Sequence, residues 1–362
     1  MSTATLFSGI TERDWQTNDP EGTVRLALIG LGWWVREEAI PAIEQGEFCE
    51  TTVVVSGSTE KAESVKQGSP TINHGLTYDE FHDGAAADAY DAVYICTPNA
   101  THLEYAETAA ELGKDVLCEK PMEATVDRAE RLVRTCDERD VTLMIAYRMQ
   151  TEPAVRRARE LIQDGFIGDT LLVQGHMSDS LLELIPDPNQ WRLDPNLSGG
   201  CSLIDIGIYP LNTTRFLLDD DPTDVQGRTV SSHDAFAEVD EHATFQAAFP
   251  NGVSAIYSAS HNAQGASFLK VLGSAGEITI EPIFFPWDDR ELVLRKGSAT
   301  DRISFEQVNQ MTEEFDYFGY CLLTGIEPAP DGRHGLRDMQ IIETIYESAA
   351  DERWKSVPGV DR

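Results

Sequence analysis

Short, unbroken apolar runs recur through the first 150 positions, spaced to leave room for a helix after most of them. They lie at 24–29, 52–55, 92–96, 116–118 and 143–146. Between them, 37–44, 102–112 and 126–139 carry apolar residues at helical spacing. A short run without polar alternation suits a strand buried on both faces. Strands alternating with amphipathic helices predict βαβ units and a doubly wound parallel sheet. The pattern changes near residue 150. Helical spacing at 153–163 leads into an apolar run at 170–177, and 205–218 reads as helix. Strand candidates then crowd together at 244–249, 253–260, 268–272, 277–281 and 291–295. Pro250-Asn251-Gly252 is a hairpin-turn signal, and Ser274-Ala275-Gly276 is a weaker one. Helical patterns at 313–323 and 336–350 close the chain. The expected fold class is α/β: a parallel-sheet domain, then an α+β domain with a mainly antiparallel open sheet.

The ends of the early runs carry the chemistry. In open α/β sheets, ligands bind outside the carboxyl ends of the strands. After the first run comes Gly30-Leu31-Gly32-Trp33-Trp34-Val35, a GxGxxG whose last glycine is replaced by valine. The two glycines permit a tight turn and close approach of a pyrophosphate to backbone N–H groups at a helix N-terminus. Val35 implies a looser packing of that helix on its strand. The first domain is therefore expected to be a dinucleotide-binding Rossmann domain at 23–150. The 1–22 segment is polar and reads as a surface arm, and 151–362 as the substrate-binding and oligomerisation domain. The second run ends in Val55-Ser56-Gly57-Ser58, with Lys61 nearby and no acid at the strand tip. NAD sites usually place an acid there for the ribose 2′-hydroxyl. Hydroxyls, Lys61 and Arg36 suit a 2′-phosphate instead, which favours NADP over NAD. Ser56 and Ser58 also suit a plain helix-capping role. Thr97-Pro98-Asn99 with His102 follows the third run. Asn99 there is either a cap or a neighbour of the nicotinamide ribose.

Glu119-Lys120-Pro121 is the strongest local signal. Lys120 at a strand's carboxyl end is placed to hydrogen-bond a substrate hydroxyl and favour its deprotonation. Asp205 and Tyr209 are four apart and share a face if helical. A tyrosine beside an ammonium becomes a usable acid/base. Spacing alone, however, fits a core tyrosine and a helix N-terminal charge equally well. His74, His82, His176, His233, His242, His261 and His334 show no metal-ligand spacing and read as structural or surface residues.

Composition narrows the partners. The chain has 362 residues, a net charge of −34 and only seven lysines beside 21 arginines. That charge argues against nucleic acid and anionic membrane surfaces. The acids are spread along the chain, which argues against an acidic tail and favours adaptation to high salt over an acidic docking surface. Six scattered cysteines without a CxxC pair suit reduced thiols in a cytoplasmic protein. No apolar stretch reaches membrane-spanning length, and the first residues lack a signal pattern.

Gly30-Leu31-Gly32, Thr97-Pro98-Asn99-Ala100-Thr101-His102, Glu119-Lys120-Pro121 and Asp205-Ile206-Gly207-Ile208-Tyr209 together resemble the glucose–fructose oxidoreductase/inositol dehydrogenase family. The likeness runs from about Val24 to the last helix. Trp191-Arg192-Leu193, Gly199-Gly200 and a tyrosine at 209 resemble its aldose- and dihydrodiol-oxidising branch. The resemblance implies oxidation of the anomeric hydroxyl of an aldopyranose, D-xylose first, with NADP. It implies Lys120 and Tyr209 as the catalytic pair and Asp205 as the group orienting the sugar. Gly30, Gly32, Trp33, Trp34, Arg36, Ser56, Ser58 and Lys61 would then line the cofactor's phosphates and adenosine. Thr97, Asn99, His102 and Glu119 would border its ribose and nicotinamide, and Arg148, Trp191 and Arg192 would close over it. A homodimer or homotetramer through the C-terminal sheet is also implied. Related alternatives are a trans-dihydrodiol dehydrogenase, a glucose–fructose oxidoreductase with trapped cofactor, or a sugar-sensing regulator without turnover.

Overall fold

The computed structural model describes residues 6–286 and 288–359. These divide into two compact units. The first comprises Trp15–Arg148 and Asn309–Arg337. It holds β1 (Val24–Ile29), β2 (Cys49–Val55), β3 (His74–Leu76), β4 (Ala92–Ile95), β5 (Asp115–Glu119) and β6 (Leu143–Ala146). All pairings are parallel, in the order β3-β2-β1-β4-β5-β6. This is the Rossmann order, with its switch point between β1 and β4. Leu26, Leu28, Val93, Ile95, Val116 and Leu117 have no exposed surface, which is why these strands show no polar alternation.

The Gln310–Thr324 helix belongs to this nucleotide unit, whereas the sequence pattern assigned all of 151–362 to the second domain. Its apolar face finds its partners here. Phe315 sits edge-on to Tyr94 of β4, with ring centres 5.0 Å apart. Asp316 accepts the backbone N–H groups of Glu47 (2.7 Å) and Phe48 (3.0 Å). The 1–22 segment is also more than a surface arm. Trp15 is buried, with its ring 5.4 Å from both Tyr317 and Tyr320. Leu6 and Ile10 are buried in the other unit.

The second unit is built on a nine-stranded sheet. Its strands are β7 (Thr170–Ser180), β8 (Asp224–Val230), β9 (His242–Ala248), β10 (Ser254–Ser260), β11 (Asn262–Gly273), β12 (Gly276–Glu281), β13 (Arg290–Lys296), β14 (Ala299–Phe305) and β15 (Lys355–Ser356). The order is β14-β13-β12-β11-β7-β10-β9-β8-β15. Only β7 and β10 pair in parallel. Asn251 (φ 60°) and Gly252 (φ 80°) make the β9–β10 turn in the left-handed region, as the Pro-Asn-Gly signal requires. The Ile208–Leu218 helix packs on β7, and the Pro153–Gln163 helix packs on that helix. Among the described residues, no helix is long and apolar enough to cross a membrane.

Candidate active site

The carboxyl edge of the parallel sheet collects the first group of site residues. Gly30 follows β1 at φ +93°, and a Cβ there would lie 2.2 Å from the Cys96 carbonyl oxygen. Only glycine lets the ends of β1 and β4 come this close. Gly32 is different: a Cβ there would meet nothing within 4 Å. The space beside the helix starting at Trp33 is therefore open, as close approach of a pyrophosphate needs. Val35, at the replaced glycine, is fully buried and opens a segment, Val35–Ala39, wound one residue wider per turn than an α-helix. The departure from the glycine pattern thus coincides with a local rewinding of the helix.

Around that edge, Ser56 Oγ accepts the Ser58 N–H (3.2 Å), and Ser58 Oγ caps the next helix by accepting the Lys61 N–H (3.2 Å). Both capping roles are thus filled, and a hydroxyl that accepts one bond keeps its own O–H as a donor. Arg36, in the Val35–Ala39 segment, and Lys61, in the helix that Ser58 caps, are exposed cations. Trp33 is 43% exposed and stands perpendicular to Trp34. The Trp34 Nε1–H is buried without a hydrogen-bond partner, and the Arg148 guanidinium stacks 5.1 Å from the Trp34 ring. Asn99 and His102 are buried. His102 has its Nε2 2.9 Å from the Thr97 carbonyl and its Nδ1 3.3 Å from the Met122 carbonyl. The ring therefore tethers the Thr97 loop to the loop after Lys120. Open space at Gly32, an orphaned indole N–H, two serine hydroxyls and the exposed cations Arg36 and Lys61 fit a dinucleotide with a 2′-phosphate.

Lys120 emerges from β5 half-buried. Glu119 before it accepts the Tyr94 hydroxyl (2.6 Å) and the Lys120 N–H (3.1 Å), which fixes the strand end. Glu123 is fully buried and accepts from Leu103 N (3.2 Å), Ala124 N (2.7 Å) and Arg128 (2.9 Å), bracing the loop that follows. Glu314 was not anticipated from the sequence. It is fully buried on the Gln310–Thr324 helix, with neither carboxyl oxygen hydrogen-bonded. Burial holds its carboxyl well above the usual range and Glu119 adds to this, while Arg148 and Lys120 pull the other way.

In the second unit, Asp205 lies in a wide-wound segment, Ser202–Gly207, that runs directly into the Ile208–Leu218 helix bearing Tyr209. Asp240 anchors its start, accepting from Cys201 N (2.8 Å), Leu203 N (2.7 Å) and the Tyr346 hydroxyl (2.9 Å). A Cβ at Gly200 would lie 2.1 Å from that Tyr346 hydroxyl, which explains the second glycine of Gly199-Gly200. The Ile208–Leu218 helix is pinned by Asn212 Nδ2 to Asp338 (2.6 Å) and by Arg215 to Asp338 (2.8 Å) and Asp221 (2.7 Å). Tyr209 is half-buried, with its ring 5.6 Å from Phe284. Arg192 lies across Trp191 (4.5 Å) and donates from Nε to Asp205 Oδ2 (2.9 Å).

His261, assigned from the sequence to structural or surface residues, joins this cluster. Its Nε2 is 3.1 Å from Asp205 Oδ2, and its Nδ1 is 2.6 Å from Asp179 Oδ1. The parallel pairing explains the meeting. Ser178 of β7 is in register with Ser260 of β10, so the next residues, Asp179 and His261, stand side by side at the end of that pairing. Burial alone would depress the ring, but the two carboxylates overcome it and raise its pKa to about 9.

The positions thus fall into two groups. Gly30, Gly32, Trp33, Trp34, Arg36, Ser56, Ser58, Lys61, Thr97, Asn99, His102, Glu119, Lys120 and Arg148 belong to the nucleotide unit. Trp191, Arg192, Asp205 and Tyr209 belong to the second. Glu314, Asp179, His261, Asp240 and Tyr346 complete their surroundings, and no local motif marks them.

Comparison with known proteins agrees with both units. The family model described as "Oxidoreductase family, NAD-binding Rossmann fold" matches residues 24–147. The GFO/IDH/MocA C-terminal domain matches residues 155–279. The D-xylose 1-dehydrogenase [NADP(+)] of Haloarcula marismortui is 57% identical over 97% of this chain and 98% of its own length. D-xylose 1-dehydrogenase (NADP(+)) 2 of Haloferax volcanii is 29% identical over 90% of this chain and 96% of its own. The crystal structure of aldose-aldose oxidoreductase from Caulobacter crescentus, complexed with glycerol, superposes with a TM-score of 0.86 at 31% identity, covering 92% of this chain and all of that one. A Rossmann sheet carrying a lysine at its carboxyl edge, followed by a domain of this second type, places the chain in the GFO/IDH/MocA oxidoreductase family.

Proposed function

We propose that the chain is an NADP-dependent aldose 1-dehydrogenase that oxidises the anomeric hydroxyl of D-xylose to the lactone. The observation that carries this reading is the 57% identity, over nearly the whole chain, to the Haloarcula marismortui enzyme. The residues around Gly32 support the cofactor: open space for a pyrophosphate, then Ser56, Ser58, Lys61 and Arg36 for a 2′-phosphate. When bound, NADP supplies the acceptor for the C1 hydride. Trp34, Thr97 and Asn99 orient it. The Lys120 ammonium hydrogen-bonds the anomeric oxygen and stabilises the charge that develops as its proton leaves. Tyr209, acting as its phenolate, takes that proton and becomes the neutral phenol. Asp205, held by Arg192 and His261, accepts a hydrogen bond from a second sugar hydroxyl and fixes which carbon faces the cofactor.

The test is a spectrophotometric panel of pentoses and hexoses with NAD and NADP in molar salt. D-xylose with NADP is expected to give the highest kcat/KM. Tyr209→Phe and Lys120→Ala should each lower kcat by about 10²–10⁴-fold with little change in NADP affinity. Near-full turnover by Lys120→Ala would remove the assignment. Likeness to an aldose-aldose oxidoreductase favours one other reading, a cofactor retained through turnover. Nicotinamide absorbance surviving dialysis would support that reading. Tight NADP binding without reduction by any aldose would instead make the chain a sensor.

We assign the reaction to the cytoplasm on the six free cysteines, five of them buried. A homodimer or homotetramer through the second sheet is supported by its outer face. Leu172 (47% exposed) and Ile256 (55% exposed) lie there on the adjacent strands β7 and β10. Sedimentation at high salt tests it, and Ile256→Glu should shift the population toward monomer.

A further inference from the structure

We infer that His261 is a positioning residue for sugar binding: a doubly protonated imidazole that bridges Asp179 and Asp205 and holds Asp205 in place as a hydrogen-bond acceptor. This rests on the reading of Asp205 as the group that orients the sugar. The geometry makes the argument. The ring is 2% exposed, and each nitrogen faces a carboxylate oxygen, at 2.6 Å and 3.1 Å. A neutral imidazole has one N–H and satisfies one carboxylate. Two carboxylates on opposite edges of one buried ring require both N–H groups, and hence the cation.

Asp179, His261, Asp205 and Arg192 stand in a row, each within ion-pair distance of the next. Asp179 comes from the end of β7, and Asp205 from the turn before Tyr209. Arg192 bonds the same Oδ2 that faces His261. With His261 charged, two cations alternate with two anions. Cys201 lies close enough to feel Asp240, Asp205, Arg192 and Asp179, and burial keeps its thiol protonated. Glu241 touches His261 only through the backbone, its carbonyl accepting the His261 N–H at 3.2 Å. The Glu241 carboxylate turns toward Ser232, His233 and Asn262. His242 lies on the Glu241 carboxylate, 3.3 Å from Oε1. Arg192 holds Asp205 from one side and His261 from the other, so the carboxylate cannot swing without leaving a buried charge unpaired.

Replacing His261 by a neutral group leaves Asp179 and Asp205 facing one another across it. Replacing Asp179 as well removes that repulsion and restores a neutral Asp205–Arg192 pair. A ring that merely fills space gives the opposite result, because the double change disturbs packing at two places.

Three measurements on the full-length protein decide the matter. In wild-type protein with ¹⁵N-labelled histidine, NMR should show one ring still doubly protonated at about pH 8, absent from His261→Gln. A neutral ring there overturns the proposal, whatever the enzyme's substrate. In steady-state kinetics, His261→Gln should raise KM for D-xylose about ten- to a hundredfold, with NADP affinity by fluorescence quenching unchanged. Its kcat/KM should also begin to fall at a higher pH than wild type as the solution is acidified. Asp179→Asn combined with His261→Gln should recover most of that KM. A double variant no better than His261→Gln, or a KM insensitive to His261→Gln, counts against positioning. Asp205→Asn sets the scale. If it binds sugar as wild type does, the sugar role of Asp205 fails, while the NMR result still decides the charge of the ring.

Discussion

Glu314, Glu241 and Asp240 are all buried, yet two of these carboxyls are shifted up and one down. Glu314 has no hydrogen-bond donor, so desolvation prevails and holds its carboxyl well above the usual range, against the pull of Arg148 and Lys120. Burial acts on Glu241 too, but donors from Asn262 (2.6 Å), Ser232 N (2.6 Å) and His233 N (2.9 Å) pull its carboxyl down to about 2. Asp240 has three donors, and desolvation still outweighs them. Desolvation and donated hydrogen bonds together set the direction in which each carboxyl is shifted. His261 extends the same logic to a cation, and it yields a stability prediction. Its pKa is about 6.5 when unfolded and about 9 when folded, so the folded form binds the proton more tightly. The stabilisation is therefore complete below about pH 6.5 and is lost as pH rises through about 9. At about 1.4 kcal/mol for each pH unit over that interval, the loss is at most about 3.5 kcal/mol. Thermal unfolding of the wild type should show a midpoint that falls between about pH 6.5 and 9. In His261→Gln the slope over that window should be nearly flat, and equal slopes would mean the ring does not titrate as described.

Strand and helix boundaries were legible wherever one face had to be buried. The runs at 24–29 and 143–146 and the helical pattern at 126–139 match their elements residue for residue. β3, β8, β14 and β15 were not anticipated. β3 and β15 are three and two residues long, too short for periodicity to register. β8 buries only Val225, and β14 buries no residue fully, so neither shows an apolar stripe. The site divides in the same way. Lys120, Gly30 and Thr97 sit where a strand signal stops, and the sequence marks such places. Asp179 and His261 are 82 positions apart and meet only because β7 and β10 run parallel. That pairing depends on the strand order of a sheet the local pattern does not specify. A second product of the order is the seating of the Ile208–Leu218 helix. A Cβ at Gly175 of β7 would lie 2.6 Å from Pro210 Cβ and 3.1 Å from Leu269 and Tyr257. Gly175→Ala must therefore push on the residue next to Tyr209. Overpacking of this kind costs about 1–3 kcal/mol. The variant should melt several degrees lower and lose kcat while keeping NADP affinity. Gly68→Ala, where a Cβ meets nothing within 4 Å, is the control expected to change neither.

At the scale of the whole molecule, 62 acids stand against 28 lysines and arginines. Many of the cations are already in surface pairs, such as Arg25–Asp91, Arg131–Glu107, Arg302–Glu291 and Arg333–Asp137. Salt acts on this surface in two opposing ways. It screens these exposed pairs, each worth about 0–1 kcal/mol, and so removes a little stability. It also screens repulsion among the excess carboxylates, whose reach shrinks from about 10 Å at 0.1 M to about 3 Å at 1 M. With a net charge of −34, repulsive neighbours outnumber attractive ones, so the second effect prevails. The unfolding midpoint should rise steeply as KCl increases from about 0.1 M to about 1 M and then level off, since little repulsion remains to be screened. NaCl should act alike, because screening depends on ionic strength and not on the cation. The excess charge predicts a further result. Replacing about ten exposed acids by their amides, among them Glu130, Glu138 and Glu183, should move the rise to lower salt without altering its plateau. A midpoint that ignores salt, or falls with it, would mean that surface pairs rather than excess anions set the stability of this chain.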